Sequence, residues 1–346
     1  MDRKIINLAL QGGGSHGALT WGVLDRLLED ERLVIAEISG TSAGAMNAAV
    51  LADGWQRSGR QGAREALERF WRAVARAALL SPIQRSPLDR LLGRHSLDAS
   101  PGYLWAEGLG RMFSPYQLNP LGLNPLRAIL EQVVDFDNVN RCREIAIHVT
   151  ATHVRTGRAK IFSRGAVSCD AILASACLPQ LYPAVEIDGE EYWDGGFSAN
   201  PALLPLVVSP ASPDIVIVQI NPAVRHDPPR SAREIMNRVN EISFNTSLIK
   251  ELRAIALMQR MLAGQSVNAG PAGRTYLHLI HTDAEVQDLA ASSKLNAEWP
   301  YLRMLFDRGR GWAEAWLAAH FDALGVRSSF DLERFFDDGP APGCAP

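Results

Sequence analysis

Within its first 44 residues the chain runs twice from an apolar stretch through glycine into an amphipathic stretch. This doubled junction restricts the fold more than any other feature. Residues 5–10 are a short apolar run followed by Gly12, Gly13 and Gly14, and residues 17–31 then keep Leu19, Val23, Leu27 and Leu28 at helical spacing. Residues 33–38 are a second apolar run, leading through Gly40-Thr41-Ser42-Ala43-Gly44 into an Ala-rich helix that reaches about Ala52. Parallel strands need crossover connections, so this β-α-β-α order predicts an α/β fold with a mostly parallel central sheet flanked by helices.

Further along, residues 63–80 read as a helix with Leu67, Phe70, Trp71 and Val74 on one face. Residues 81–124 differ: they hold Pro82, Pro87, Pro101, Pro115 and Pro120 and the aromatics Tyr103, Trp105, Phe113 and Tyr116. That stretch is too long for an ordinary loop and predicts a cap insertion of short helices, the alternative being a surface loop packed on itself. Strands are expected at 145–154 and 159–163, then a helix at 170–176. A hairpin is expected around Asp188-Gly189-Glu190, and a strand at 214–221. A long helix at 231–262, a late strand at 275–281 and a helix at 299–324 follow, and a frayed tail begins at Gly339. The long helix carries a second apolar face at Phe244, Leu248 and Leu257, expected to pack in the core, with a dimer or membrane contact as the alternative.

Composition narrows the classes. Of 346 residues, 47% are hydrophobic and 21% charged, which excludes dominant disorder. Lys and Arg total 35 against 38 Asp and Glu, a net charge of -3, so there is no global basic field and no nucleic-acid partner is expected. Cys142, Cys169, Cys177 and Cys344 form no CxxC pair; buried thiols in a reducing compartment are expected, and no metal site. The basic residues before the first apolar run imitate a signal peptide, but Asn7 and Gly12 break the run. No apolar stretch approaches the roughly 20 residues that span a bilayer. A soluble, cytoplasmic protein is therefore expected, with transient visits to a membrane surface.

Three short motifs carry chemistry. Gly40-X-Ser42-X-Gly44 between a strand and a helix is the context of a nucleophile elbow, in which a strained turn lifts the serine hydroxyl to a helix N-terminus; the alternative is a simple helix cap. Gly12-Gly13-Gly14-Ser15-His16-Gly17 also fits the dinucleotide pattern G-x-G-x-x-G. Its amides could cradle a pyrophosphate or serve as an oxyanion hole. A ribose-binding acid is expected at the end of the second strand. Glu37 is near that place, but the strand runs on into the elbow, which favours the oxyanion hole. A base for Ser42 could be His281, near the end of the late strand, or Asp194 in Tyr192-Trp193-Asp194-Gly195-Gly196.

The glycine loop, then Gly40-Thr41-Ser42-Ala43-Gly44, then Asp194-Gly195-Gly196, in this order, resembles the patatin-like phospholipase family. The stretch from Ala171 to Pro179, Tyr182-Pro183 and Asn200-Pro201 are similar to that family's segments around its catalytic aspartate. The resemblance covers residues 5–205. It implies a three-layer fold and a Ser-Asp dyad, with Ser42 the nucleophile and Asp194 the proton acceptor. The amides of Gly12, Gly13 and Gly14 would be the oxyanion hole, supported by His16, Gly17, Gly40, Gly44, Gly195 and Gly196. It implies hydrolysis of acyl esters, often of lipids, with no cofactor. The family usually carries Arg or Lys where this chain has His16, and a neutral imidazole supplies less positive charge there.

Residues 206–330 are expected to continue the same domain, with 331–346 as the tail. Trp105, Phe113 and Tyr116 of the cap are candidates for an acyl-chain wall, because each buried methylene contributes about 0.8 kcal/mol. Self-association is left open. Two other functions stay open as well: a Ser-His-Asp esterase using His281, and a non-hydrolytic nucleotide binder using the glycine loop.

Overall fold

The computed structural model describes residues 3–225, 227–263, 275–281 and 289–336. Among them, eight strands share one sheet: β1 (Lys4–Leu10), β2 (Leu33–Thr41), β3 (Ala146–His153), β4 (Ala159–Phe162), β5 (Val185–Ile187), β6 (Glu190–Asp194), β7 (Asp214–Val218) and β8 (Tyr276–Ile280). The order is β5-β6-β3-β2-β1-β7-β8, with β4 paired to β3. Strands β3, β2, β1, β7 and β8 are parallel neighbours, whereas β4, β6 and β5 join antiparallel. The β5–β6 hairpin turns at Asp188 and Gly189, both at positive φ, as a two-residue turn of right-handed strands requires.

The helices are α1 (Gly17–Glu29), α2 (Ala43–Ala78), α3 (Pro87–Leu91), α4 (Pro101–Met112), α5 (Pro115–Leu118), α6 (Pro125–Val133), α7 (Phe136–Arg141), α8 (Cys169–Ser175), α9 (Leu204–Val207), α10 (Ala232–Ala263), α11 (Trp299–His320) and α12 (Leu332–Phe336). The two helices expected over 44–52 and 63–80 are joined in α2, which kinks at Ser58 and Gly59 and then resumes. Gly59 takes the left-handed backbone (φ 57) that the kink needs, and this redirection reads in sequence as a break between helices.

Alternation along the central strands makes the layers. Ile6, Leu8 and Leu10 of β1 and Val216 and Val218 of β7 face a core with Trp21, Phe70, Trp71 and Phe306 from α1, α2 and α11. Ala9, Ile215, Ile217 and Leu277 face the opposite side, packed against Leu206 and against Leu248, Leu252 and Ile255 of α10. A sheet buried on both faces reads as near-continuous apolar strands, and the result is a three-layer α/β/α fold. Of the second apolar face expected on α10, Leu248 is in this core, Phe244 meets Phe197 edge-on at 5.3 Å, and Leu257 is exposed.

The 81–124 stretch forms the short helices α3, α4 and α5. It is tied down at its base: Arg85 pairs with Glu298 at 2.5 Å, the Leu97 amide donates to Ser292 Oγ at 3.1 Å, and Asn296 Nδ2 donates to the His95 carbonyl at 2.9 Å. Among the described residues no helix is long and apolar enough to cross a membrane. Cys344 and the tail from Gly339 lie outside the described residues.

Candidate active site

Ser42 follows the last residue of β2 and takes φ 54, ψ −120. A non-glycine residue holds this backbone at a cost of about 1–3 kcal/mol, and only where the surroundings enforce it. Two contacts enforce it here. The Ser42 amide donates to Ser175 Oγ of α8 at 2.8 Å, and Thr41 Oγ1 donates to the Ala199 carbonyl at 2.9 Å. Space is equally tight. A Cβ on Gly44 would fall 2.2 Å from the Leu10 carbonyl oxygen, and one on Gly12 would fall 2.7 Å from Ser42 Cβ. The glycines therefore let the elbow and the glycine loop pack against each other.

Register brings Asp194 to the same level. Thr41 pairs with Thr150 on β3, and the next β3 residue, Ala151, pairs with Asp194 on β6. Ser42 and Asp194 thus flank β3, and the Ser42 hydroxyl lies near enough to the Asp194 carboxyl to pull its proton affinity down. Asp194 Oδ1 also accepts from the Gly196 amide at 2.7 Å. Asp194 is 1% exposed and Ser42 8%. Burial pushes the Asp194 carboxyl up to about 7, against the opposing pull of the Gly196 amide, the Ser42 hydroxyl and the Lys294 ammonium.

The glycine loop lies beside Ser42 at the C-terminal end of β1. Its amides are not equivalent. The Gly12 amide donates to Asn200 Oδ1 at 2.7 Å, so it holds the loop in place, whereas no acceptor for the Gly13 and Gly14 amides is found among the described residues. A floor of amide side chains supports the loop. Gln11 Oε1 accepts from the amides of Ile220 and Asn221, both at 2.9 Å. Asn221 Nδ2 donates to the Gly12 carbonyl at 2.7 Å, and Gln11 Nε2 donates to Asn245 Oδ1 at 2.8 Å.

The other candidates sit elsewhere or are engaged. His281 Nδ1 donates to the Gln219 carbonyl at 2.9 Å, and its ring meets Trp312 edge-on, away from Ser42. Glu37 lies within β2, where its carboxylate takes the Ser209 hydroxyl at 2.7 Å and His148 Nε2 at 3.2 Å. His16 is 2% exposed and held well below the usual imidazole range by burial and the nearby cations. Trp105, Phe113 and Tyr116 are exposed on the cap. The Tyr116 hydroxyl accepts from the Ala184 amide at 3.2 Å, just ahead of the hairpin that carries Asp194. Burial pushes the Cys169 thiol up to about 11 and Cys177 to about 12, which leaves them poor nucleophiles. Among the described residues no three His, Cys, Asp or Glu side chains gather to hold a metal.

Ser175, Asn200, Asn221 and Lys294 complete this site. Asn200 is marked in sequence only by the Asn-Pro pair. Ser175 lies in the Ala171–Pro179 stretch, whereas Asn221 and Lys294 have no local signal, because distant chain segments bring them in.

The model of the patatin-like phospholipase family matches residues 8–207. No curated protein sequence matches. Among solved structures, the chain is similar to VipD from Legionella pneumophila, at 15% identity over 89% of this chain and 67% of that one, with a TM-score of 0.35. It is also similar to ExoU of Pseudomonas aeruginosa in its complex with SpcU, at 16% identity over 92% of this chain, with a TM-score of 0.32; the chain covers 54% of that protein's length. The family match takes in more than half of the chain, with the glycine loop, Ser42 and Asp194 inside it, and the chain belongs to the patatin-like phospholipase family.

Proposed function

We propose that this protein is a lipid acyl-ester hydrolase working through a Ser42–Asp194 dyad. The observation that carries this reading is the register that sets a serine in a strained elbow beside a buried carboxyl poised near neutral pH. A general base works best when its pKa lies near the working pH, which an ordinary carboxylate does not achieve. Ser42 Oγ attacks the ester carbonyl as its proton passes to Asp194. The tetrahedral oxyanion is received by the amides of Gly13 and Gly14, with the Gly12 amide fixing the loop through Asn200. The intermediate then collapses, and Asp194 returns the proton to the departing alcohol. Water, deprotonated by Asp194, opens the acyl-enzyme to release the acid and restore Ser42.

The engagement of His281 and Glu37 supports this reading over a triad esterase or a nucleotide binder. The cap supplies the apolar surface for the acyl chain, with Trp105, Phe113 and Tyr116 as its aromatic contribution. Leu80, Leu91, Leu121 and Met112 are each more than three-quarters exposed, and such a surface suits peripheral contact with a lipid layer.

The test is labelling by a fluorophosphonate probe together with hydrolysis of a chromogenic octanoyl ester. Wild type and His281→Ala should label and turn over, whereas Ser42→Ala should do neither. Loss of turnover in a folded His281→Ala protein would hand the reaction to the triad alternative.

A further inference from the structure

We infer that Lys294 is a specificity-determining cation of this site, which receives a negatively charged group of the substrate close to the scissile ester. The inference rests on the hydrolase reading and lies outside the residues that the family match covers. Lys294 Nζ donates to Asn221 Oδ1 at 2.6 Å, and the same Asn221 amide holds the Gly12 carbonyl. The ammonium is thus one side chain away from the glycine loop. The main chain is just as close: a Cβ on Gly14 would fall 2.5 Å from the Lys294 carbonyl oxygen. On its other side the ammonium lies 5.9 Å from the Phe244 ring, which packs on Gly196 beside Asp194.

The charge of Lys294 is not spent within the protein. Glu241, the carboxylate that acts on it most strongly, is paired with Arg225 at 2.5 Å and Arg238 at 3.2 Å. Among the described residues Lys294 has no ion pair, and its ammonium has three N–H groups against the one acceptor Asn221. The side chain remains part-exposed. A cation with donors to spare is a ready partner for a phosphate, sulfonate or carboxylate.

His16 has a different task. The Ser293 hydroxyl gives its only proton to the Ala290 carbonyl at 2.6 Å and accepts from the Tyr301 hydroxyl at 2.9 Å. It must therefore accept from His16 Nε2, 2.8 Å away, which fixes a proton on Nε2. His16 anchors the 3₁₀ turn Ala291–Leu295 against the glycine loop, and that turn carries the charge which position 16 does not.

The test uses two octanoyl esters, 4-nitrophenyl octanoate and its carboxylate-bearing counterpart 4-nitro-3-octanoyloxybenzoate, with wild type, Lys294→Gln and Lys294→Arg. The ratio of kcat/KM for the anionic over the neutral ester should fall about ten-fold in Lys294→Gln and be retained in Lys294→Arg. An unchanged ratio, even with both rates lowered, would overturn the inference. A second measurement needs no variant: octanesulfonate, below its micelle concentration, should inhibit wild type about ten-fold more strongly than the uncharged octyl methyl sulfone. Equal inhibition would equally overturn it. If wild type hydrolyses neither ester, the hydrolase reading itself fails, and this inference falls with it.

Discussion

Asp194 and Asp214 are both almost fully buried, at 1% and 2% exposed, and they sit at opposite ends of the parallel strands. Asp214 opens β7 and is surrounded by donors: His278 Nε2 at 2.9 Å and the Gly325 amide at 2.9 and 3.0 Å to its two oxygens. His278 in turn meets Ser329 Oγ at 2.8 Å. Asp194 has one backbone amide and the hydroxyl of Ser42. Burial is common to the two; the supply of donors is not. A carboxyl whose oxygens are taken by fixed partners is a joint between strand and loop. A carboxylate left short of partners, beside a hydroxyl, is available to take a proton.

Exchanging each acid for its amide should separate these roles most widely. Asp194→Asn is predicted to lower turnover by about 10³–10⁴ while leaving the protein folded, and to add nothing further when combined with Ser42→Ala. Asp214→Asn is predicted to keep turnover but cost about 1–3 kcal/mol of stability, because an amide cannot accept from both His278 Nε2 and the Gly325 amide as the two carboxyl oxygens do. Urea unfolding midpoints and ester hydrolysis on the same preparations decide it. A folded Asp214→Asn protein without activity would erase the distinction between the two ends.

pH separates the roles next. With the Asp194 carboxyl at about 7, kcat/KM should rise with pH along a limb whose midpoint is near 7, and this limb should vanish in the residual rate of Asp194→Asn. Stability should run the other way. The folded state holds the Asp194 proton more tightly than the unfolded chain, whose carboxyl keeps the ordinary value of 3.8. The stabilisation is complete below pH 4 or so and is lost as pH rises through about 7. At pH 8 the wild type carries a buried charge that Asp194→Asn lacks, so the variant's Tm should be higher by roughly 2–8 °C, with the gap closing toward pH 5. A rate limb near pH 4 would place the base elsewhere.

How much of this was legible in the sequence follows from how local each feature is. The elbow and the glycine loop are contiguous strings whose glycines answer to contacts a few residues wide, so Gly12, Gly44 and Ser42 stand out unaided. Asp194 could be found only because its own two glycines mark the turn. Strand order is not legible beyond β1 and β2, since β7 pairs with β1 across most of the chain between them, with no local signal for the pairing. The break within α2 is legible, since Ser58 and Gly59 leave helical geometry between the two stretches that the apolar spacing separates. Lys294 reaches the site from 252 positions beyond Ser42 with no motif around it, whereas Ser175 sits in the Ala171–Pro179 stretch, which marks the segment but not the contact its hydroxyl makes. The inequality among the loop amides is invisible for the same reason: it depends on Asn200, brought in by tertiary contact.

Ser175 offers the finest test of the contrast between a poised and a pinned group. Its hydroxyl is wholly buried and accepts the Ser42 amide, so it acts on the nucleophile through the backbone. Ser175→Ala would leave that amide without an acceptor, at a cost of about 1–3 kcal/mol, and would remove one of the two restraints on the strained turn. The predicted result is a Tm lower by a few degrees and a kcat lower by about ten-fold, with KM little changed, since substrate contacts are untouched. Fluorophosphonate labelling of Ser42 should slow in proportion to kcat. If Tm falls while kcat and labelling rate hold, Ser175 is only a brace for α8, and the elbow keeps its geometry through Thr41 and the glycine packing alone.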